Sequence, residues 1–309
     1  MSNTTSSLNK FLIIIAGPTA VGKSSLALDV ARRYQAEIFS ADSRQVYREM
    51  SIGTAKPEKS EMEIVKHHFI DHVSIFQKYS VGHFYTEITD AFHSYFKTND
   101  VAVVTGGTGL YLRAIMDGLD EFPDIPQNIV SHYDHVLQSS GIESLQQELK
   151  SKDPEYFDKV DISNPRRLMR ALSVIMVTDN TFTSFLNQSQ AITYPYVQIP
   201  VLLELPRELL YERINKRVDI MLAEGLIEEA LNLYPHREKQ ALETVGYQEL
   251  FDYFEGKINL EQAVELIKQN SRRYAKRQMT WFRKYGKWTT FIPEDKDLIY
   301  NFIEQQFPE

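Results

Sequence analysis

The sequence predicts an α/β fold, a parallel-sheet core carrying an all-helical insertion domain. Three observations predict it. The runs at 11–16 and 101–104 are uninterrupted and apolar, mostly β-branched, as in strands buried on both faces of a parallel sheet. Segments with helical spacing alternate with them, as parallel crossovers require. Between 127 and about 178 only helical periodicity is found, and a strand-like run returns at 197–205.

Taken in order, 11–16 is the first strand, followed by a glycine-rich turn and a helix over 23–34. A short strand follows at 37–40. Val81, Phe84, Tyr85, Ile88, Phe92, Tyr95 and Phe96 are spaced for one face of a helix over 81–97. The strand at 101–104 runs into Thr105, Gly106, Gly107, Thr108 and Gly109. After Gly118 the pattern changes: 120–126 reads as a linker stiffened by Pro123 and Pro126. Asn164 is placed as an N-cap, with Pro165 at the first helical position. From Arg207 onward the chain reads as mostly helical. The expected division is therefore 1–119 with 197–309 as the core and its helical C-terminal part, and 120–196 as the insert.

Composition narrows the function classes. At about 100–200 residues per domain, 309 residues fit two domains or one with a large insert. With 43% hydrophobic and 25% charged residues, the chain can bury a sizeable core, which excludes disorder as its main state. The absence of cysteine excludes disulfides and thiolate metal sites. The longest apolar run falls far short of the ~20 residues of a membrane span. Residues 1–10 are polar, with one Lys and no Arg. They match neither a secretory nor a transit signal and read as a frayed arm of a cytoplasmic protein. A net charge of −8 argues against an overall basic coat for nucleic acid, but an average leaves room for a local patch.

Gly17, Pro18, Thr19, Ala20, Val21, Gly22, Lys23 and Ser24 match G-x-x-x-x-G-K-[ST] in full, between a buried strand and a helix. In this loop backbone N–H groups hold phosphate oxygens, Lys23 adds positive charge, and the Ser24 hydroxyl can ligate Mg²⁺. The core is thus expected to be P-loop kinase-like, and its loop to bind a di- or triphosphate, as in nucleotide-binding and ATP-binding chains. Hydrolytic motors and switches place an Asp at a strand end to orient Mg²⁺ and water. Here the strand at 101–104 ends without a carboxylate. Asp42 follows the second strand instead. Because strand C-termini line the ligand crevice of such sheets, it reads as a general base aimed at an acceptor, or else as a cap on its own turn.

Between Lys268 and Lys287 stand Lys268, Arg272, Arg273, Lys276, Arg277, Arg283, Lys284 and Lys287, with no acidic residue. Tyr274, Trp281, Phe282, Tyr285 and Trp288 interleave. This reads either as a nucleic-acid surface or as the solvated face of an amphipathic helix. His67, His68 and His72 lack any further ligand pattern, so a metal site there is not expected.

These motifs together resemble the tRNA dimethylallyltransferase (tRNA isopentenyltransferase) family. The matching stretches are 17–24, 42–47, 52–57, 67–71, 106–111, 164–171, 245–248 and 274–281, in the family's order. The resemblance implies transfer of a dimethylallyl group from dimethylallyl diphosphate to N6 of the adenosine immediately 3′ of the anticodon in tRNAs reading UNN codons, which forms N6-isopentenyladenosine. The phosphate loop would hold the diphosphate leaving group with Mg²⁺. Asp42 would take the N6 proton, Thr108 would bond near the reacting amine, and Arg217, with Arg213 one helical turn away, would contact the diphosphate. The resemblance also assigns Asp42, Ser43, Arg44 and Gln45 to the anticodon loop. It assigns Arg166, Arg167, Leu168, Met169 and Arg170 of the insert to the anticodon stem-loop, as part of a hinged clamp. The basic residues Arg272, Arg273, Lys276 and Arg277 would meet tRNA phosphates. The family's arginine near the first insert helix has no counterpart at 128–131. Tyr247 and Gln248 would pack beneath the site. The expected partners are therefore the tRNA anticodon stem-loop and dimethylallyl diphosphate, with no membrane, and the chain is expected to act as a monomer. Three rival readings remain at this level: prenyl transfer to free adenine nucleotides, a small-molecule kinase using the same loop, and a non-enzymatic nucleotide-dependent RNA-binding module.

Overall fold

A computed structural model of the chain describes residues 10–186 and 195–308. The polar arm expected at 1–10 lies outside these residues except for Lys10, as does the end of the expected insert, 187–194. The chain divides into two compact units, Met1–Asp117 with Tyr194–Glu309, and Gly118–Thr193.

The first unit is built on one six-stranded parallel sheet: β1 (Phe11–Ala16), β2 (Ile38–Ser40), β3 (His67–His68), β4 (Val101–Gly106), β5 (Val197–Leu203) and β6 (Thr289–Phe291). The order is β3-β2-β4-β1-β5-β6. Central β1 pairs with β4 on one side (Ile13 opposite Val103) and with β5 on the other (Ile13 opposite Ile199). Its side chains alternate between two cores, as a pleated strand requires. Phe11, Ile13 and Ile15 face Leu26, Ala27 and Val30 of α1 (Lys23–Arg33). Leu12, Ile14 and Ala16 share the opposite core with Phe84, Ile88 and Phe92 of α3 (Val81–Tyr95) and with Leu112 of α4 (Gly109–Asp117). The short α2 (Lys59–Ile64) precedes β3. The edge strand β6 departs from the helical reading of the C-terminal part. It is three residues long, too short to show any periodicity, and exists through its pairing with β5 (Val201 opposite Thr289).

The second unit is all-helical: α5 (Gln127–Lys152), α6 (Pro154–Phe157) and α7 (Pro165–Thr178). α5 breaks at Gly141, whose φ of 76° lies in the left-handed region that glycine tolerates. Asn164 caps α7 by accepting the Arg167 N–H (3.3 Å), and Pro165 opens the helix. Buried Asp153 holds this core together: it accepts from the Tyr156 and Thr183 N–H groups and from the Thr183 hydroxyl. Leu168 belongs to this core through its side chain. It is fully buried with Tyr133, Leu145 and Leu172, so its side chain offers RNA nothing. Met169 packs partly buried against the same core, and the Arg170 guanidinium lies 5.5 Å from the centre of the Phe122 ring. Arg166 and Arg167 are exposed on the first turn of α7.

The C-terminal helices of the first unit are α8 (Arg207–Ala223), α9 (Leu226–Leu233), α10 (Tyr247–Phe254), α11 (Leu260–Lys284) and α12 (Lys296–Glu304). Val218, Met221, Leu226, Tyr247, Leu250 and Ile267 form a third core. Beside it the Glu229 carboxylate accepts the N–H groups of Ser51, Ile52 and Gly53, each at 2.9 Å, and the Tyr247 hydroxyl at 2.7 Å.

Candidate active site

Because every strand runs the same way, β1, β2 and β4 deliver their C-terminal ends to one edge of the sheet. β1 leads into the phosphate loop, β2 into Asp42, and β4 into Gly107 and Thr108. The loop requires glycine at position 17. A Cβ there would lie 2.8 Å from the Leu203 carbonyl oxygen and 2.9 Å from a Val21 methyl. Val21 is itself buried, so it serves the loop through its backbone, whose N–H donates to the Pro18 carbonyl at 3.4 Å. Gly22 enters α1 in the left-handed region with no side-chain cap, leaving the first N–H groups of the helix without a side-chain partner at their end. A pocket of about 300 Å³ opens there, lined by Ala20, Gly22, Lys23, Ser24, Arg213 and Arg217 among others.

Lys23 donates to the Pro18 carbonyl at 2.7 Å. Burial, and then the charge of Arg217, lower its ammonium from the ordinary lysine range to about 7, while Asp42 pulls the other way. Burial likewise lowers Arg217, partly offset by Asp42. Arg213 reaches this pocket tied to Glu294 (2.8 Å).

Arg217 also lines a second cleft, of about 400 Å³, together with Thr19, Asp42, Ser43 and Tyr274. Its apolar wall is Ile214, Val218, Met221, Leu226 and Ile267. One Asp42 oxygen accepts the N–H groups of Arg44 (2.8 Å) and Gln45 (3.3 Å), an arrangement that fixes the carboxylate on its turn. The turn-cap reading and the crevice reading of Asp42 thus hold together: one oxygen caps, and the residue lines the cleft. Thr108 Oγ1 accepts the Ser43 N–H at 3.0 Å and donates to the Ser43 hydroxyl at 3.2 Å. Tyr274 places its hydroxyl beside Thr108. Its phenol is pushed up to about 12, mainly by burial and next by the charge of Asp42. Asp42, Thr108, Lys23 and Arg217 are therefore assembled at one crevice.

Other expected contacts are differently employed. Arg44 donates to the carbonyls of Gln240, Ala241 and Glu243, so three of its N–H groups brace a loop of the protein. The Gln45 amide donates to the Thr54 and Ala55 carbonyls and accepts the Ser40 hydroxyl. Both of its N–H donors are thus engaged within the chain. On α11, Arg272 donates to Asn215 (2.6 Å) and Arg273 to Asn270 (3.1 Å), while Lys268 pairs with Asp219 and Arg283 with Glu204. Lys276 and Arg277 are exposed, and Arg277 lines the cleft. Of the interleaved aromatics, Phe282 is buried core rather than a stacking surface. The histidines find separate partners: His67 the Val65 carbonyl, His68 the Glu37 carboxylate, His72 the Glu87 carboxylate. Tyr247 is fully buried under Gly53, whereas Gln248 lines the cleft itself.

Sequence reasoning missed Gln278. It is buried, and both ends of its amide are bonded: the oxygen accepts the Thr19 N–H at 2.9 Å and the nitrogen donates to the Gly107 carbonyl at 2.9 Å. In the sequence it stands inside the family-matching stretch 274–281, one turn after Tyr274, but nothing local names its partners.

For Mg²⁺ the donor set is informative. Ser24 is exposed at the mouth of the cationic pocket, and among the described residues no group of three or more His, Cys, Asp or Glu could hold a metal ion. A single hydroxyl beside a phosphate loop suits a cation that keeps most of its waters and takes its remaining oxygens from the bound phosphates.

The model of the IPP transferase family matches residues 45–285. The chain belongs to the IPP transferase family. It is 48% identical over 301 residues to a tRNA dimethylallyltransferase of Christiangramia forsetii, covering 97% of this chain and 99% of that one. It is 43% identical to one of Flavobacterium johnsoniae, covering 96% and 98%. Among solved structures it is similar to the full-length tRNA isopentenylpyrophosphate transferase of Bacillus halodurans, with a TM-score of 0.69, 35% identity, and coverage of 96% and 97%. Family membership thus spans both the helical unit and the crevice. Among the described residues no helix is long and apolar enough to cross a membrane.

Proposed function

We propose that this chain transfers a dimethylallyl group from dimethylallyl diphosphate to tRNA, at N6 of the adenosine immediately 3′ of the anticodon in tRNAs reading UNN codons. The observation that carries the proposal is the pairing of a phosphate loop with the Asp42 carboxylate at one edge of the sheet, where β4 ends without an Asp for water activation. The tRNA-modifying relatives named above support the acceptor.

The diphosphate sits on the phosphate loop, with Lys23 and Arg217 opposite its developing charge. The prenyl tail lies against the apolar wall of Ile214, Val218 and Met221. The acceptor adenine, taken out of its stack, enters the 400 Å³ cleft beside Asp42 and Thr108. Its N6 lone pair is delocalised into the ring, so attack requires that the proton be removed as the bond forms. N6 attacks the allylic carbon, the carbon–oxygen bond to diphosphate breaks, the proton passes to Asp42, and the electron pair leaves with diphosphate. Thr108, oriented through Ser43, bonds the amine. Mg²⁺, held through Ser24 and the diphosphate, would neutralise charge on the leaving group. Arg166 and Arg167 of the helical unit, with Lys276 and Arg277 of α11, supply phosphate contacts to the anticodon stem-loop. One chain supplies both ends of the crevice, so the proposed reaction needs no second copy.

The test is a transfer assay with Mg²⁺, labelled dimethylallyl diphosphate and either an anticodon stem-loop or AMP. Label in the stem-loop is expected. Label in AMP alone would assign the chain to free nucleotides. Consumption of ATP with no prenyl transfer would make it a kinase.

A further inference from the structure

The inner face of α11 meets the turn after β4 at three successive points. Tyr274, Gln278 and Trp281 fall four and three residues apart, so they share one helix face. Tyr274 lies beside Thr108. The Gln278 amide nitrogen bonds the Gly107 carbonyl. The Trp281 ring packs so closely on Gly109 that a Cβ there would come within 2.5 Å of it. Gly107 is equally constrained, since a Cβ on it would collide with the Gln278 amide nitrogen. Gln278 also bonds beyond this turn. Its oxygen takes the Thr19 N–H of the phosphate loop, 259 residues away in sequence.

We infer that Gln278 is a positioning residue for the transfer reaction, an amide strut that sets the separation between the diphosphate-holding loop and the Thr108 turn that receives the acceptor amine. The inference rests on the proposed function and deepens it. A displacement reaction needs nucleophile and leaving group held to within tenths of an ångström, and a misplacement of ~1 Å costs about 10²-fold in rate. Thr19 and Thr108 lie on loops after different strands, and strand pairing fixes those strands only as far as Ala16 opposite Gly106. Beyond that point the two loops depend on cross-links of their own. A primary amide suits this role, with an acceptor and a donor at the same end of a side chain long enough to reach both loops. It must accept from an N–H at one end and donate to a carbonyl at the other, in a buried setting where an unmatched polar group is costly.

The isosteric change Gln278→Glu keeps the acceptor for Thr19 but turns the donor facing the Gly107 carbonyl into a carboxylate oxygen, which repels it unless protonated. Gln278→Leu removes both bonds. Single-turnover transfer from labelled dimethylallyl diphosphate to an anticodon stem-loop is measured from pH 5.5 to 8.5, together with stem-loop affinity and melting temperature. Amide hydrogen exchange at Thr19 is followed in parallel. Gln278→Leu is expected to lower the transfer rate by about 10–10²-fold with stem-loop affinity unchanged. Gln278→Glu is expected to be comparably slow at pH 8.5 and to recover, relative to wild type at the same pH, as the pH falls and its carboxyl gains a proton. Thr19 exchange should lose protection in Gln278→Leu and keep it in Gln278→Glu. If Gln278→Leu does not fold, Gly107→Ala, which forces a methyl against the same amide, replaces it under the same criteria. A folded variant within threefold of wild-type rate, a Glu variant whose relative rate is flat with pH, or unchanged Thr19 exchange would each overturn the inference. A wild-type protein that protects Thr19 but transfers no label to the stem-loop would instead overturn the proposed function.

Discussion

The two ends of the crevice solve opposite electrostatic problems. The end at the phosphate loop gathers Lys23, Arg213, Lys216 and Arg217 around a pocket with no carboxylate in its lining. The other end holds Asp42 among hydroxyls, with an apolar wall behind. At the first end like charges and burial press on one another, which is why Lys23 sits near 7 in the unliganded protein. At the second, the negative charge is anchored by backbone N–H groups rather than neutralised by a salt bridge. The contrast teaches how one crevice keeps opposite charges apart: a cationic pocket at one end, and a carboxylate fixed on its turn at the other. Arg217 belongs to both ends.

Removing the carboxylate should break this division most severely. Asp42→Ala is expected to slow transfer by about 10²–10⁴-fold while leaving donor binding equal or tighter, since a negative charge has been taken from beside the donor pocket. Rapid-quench transfer and donor titration read the two effects separately. Arg217→Ala should damage both ends at once, lowering the transfer rate by about 10²–10³-fold and weakening donor binding as well. A variant that lost only one of the two would show that the ends are independent.

The donor end should also announce itself through pH. Lys23 attracts diphosphate only as the ammonium, and in the free protein it loses its proton as pH rises through about 7. Donor affinity should therefore be full below that value and fall above it. Because bound diphosphate favours the charged form, binding at pH 8 should take up a proton. Calorimetry in buffers of different ionisation enthalpy measures that uptake, and Lys23→Met should abolish it. The smallest effect is expected away from both charges. Glu229→Gln loosens the carboxylate that holds Ser51, Ile52 and Gly53 at the cleft wall. It should cost about 1–3 kcal/mol of stability, seen as a lowered melting temperature, with transfer retained at low temperature.

What could be read from the sequence follows the range of the interactions. The phosphate loop is local: eight consecutive residues between a strand and a helix, whose glycines answer to backbone geometry. Its structure is as the motif requires. The central strands were legible because burial on both faces leaves an unbroken apolar run. Asp42 could be placed in the crevice from its position after a parallel strand. The basic run of α11 was legible as a helix, but its use was not. Whether Arg272 meets RNA or Asn215 depends on α8, some 57 residues earlier in the chain. The partners of Gln45 and the burial of Leu168 were illegible for the same reason. A side chain's donors or its burial are settled by what lies across from it, and composition carries no record of that. Gln278 lies in the family-matching stretch 274–281, but its role was illegible because its two partners are 171 and 259 residues away. The three-residue strand β6 is likewise created by its neighbour.

The central claim is that this crevice joins an allylic carbon to an exocyclic amine whose proton passes to Asp42. It is tested most directly by single-turnover transfer to two anticodon stem-loops that differ only in the target base: one carries adenosine, the other carries purine riboside, which lacks the N6 amine. The account predicts that both bind and that only the adenosine stem-loop takes label. Label of comparable yield in the purine riboside stem-loop would contradict it, because the nucleophile would then lie elsewhere and Asp42 would have no N6 proton to accept.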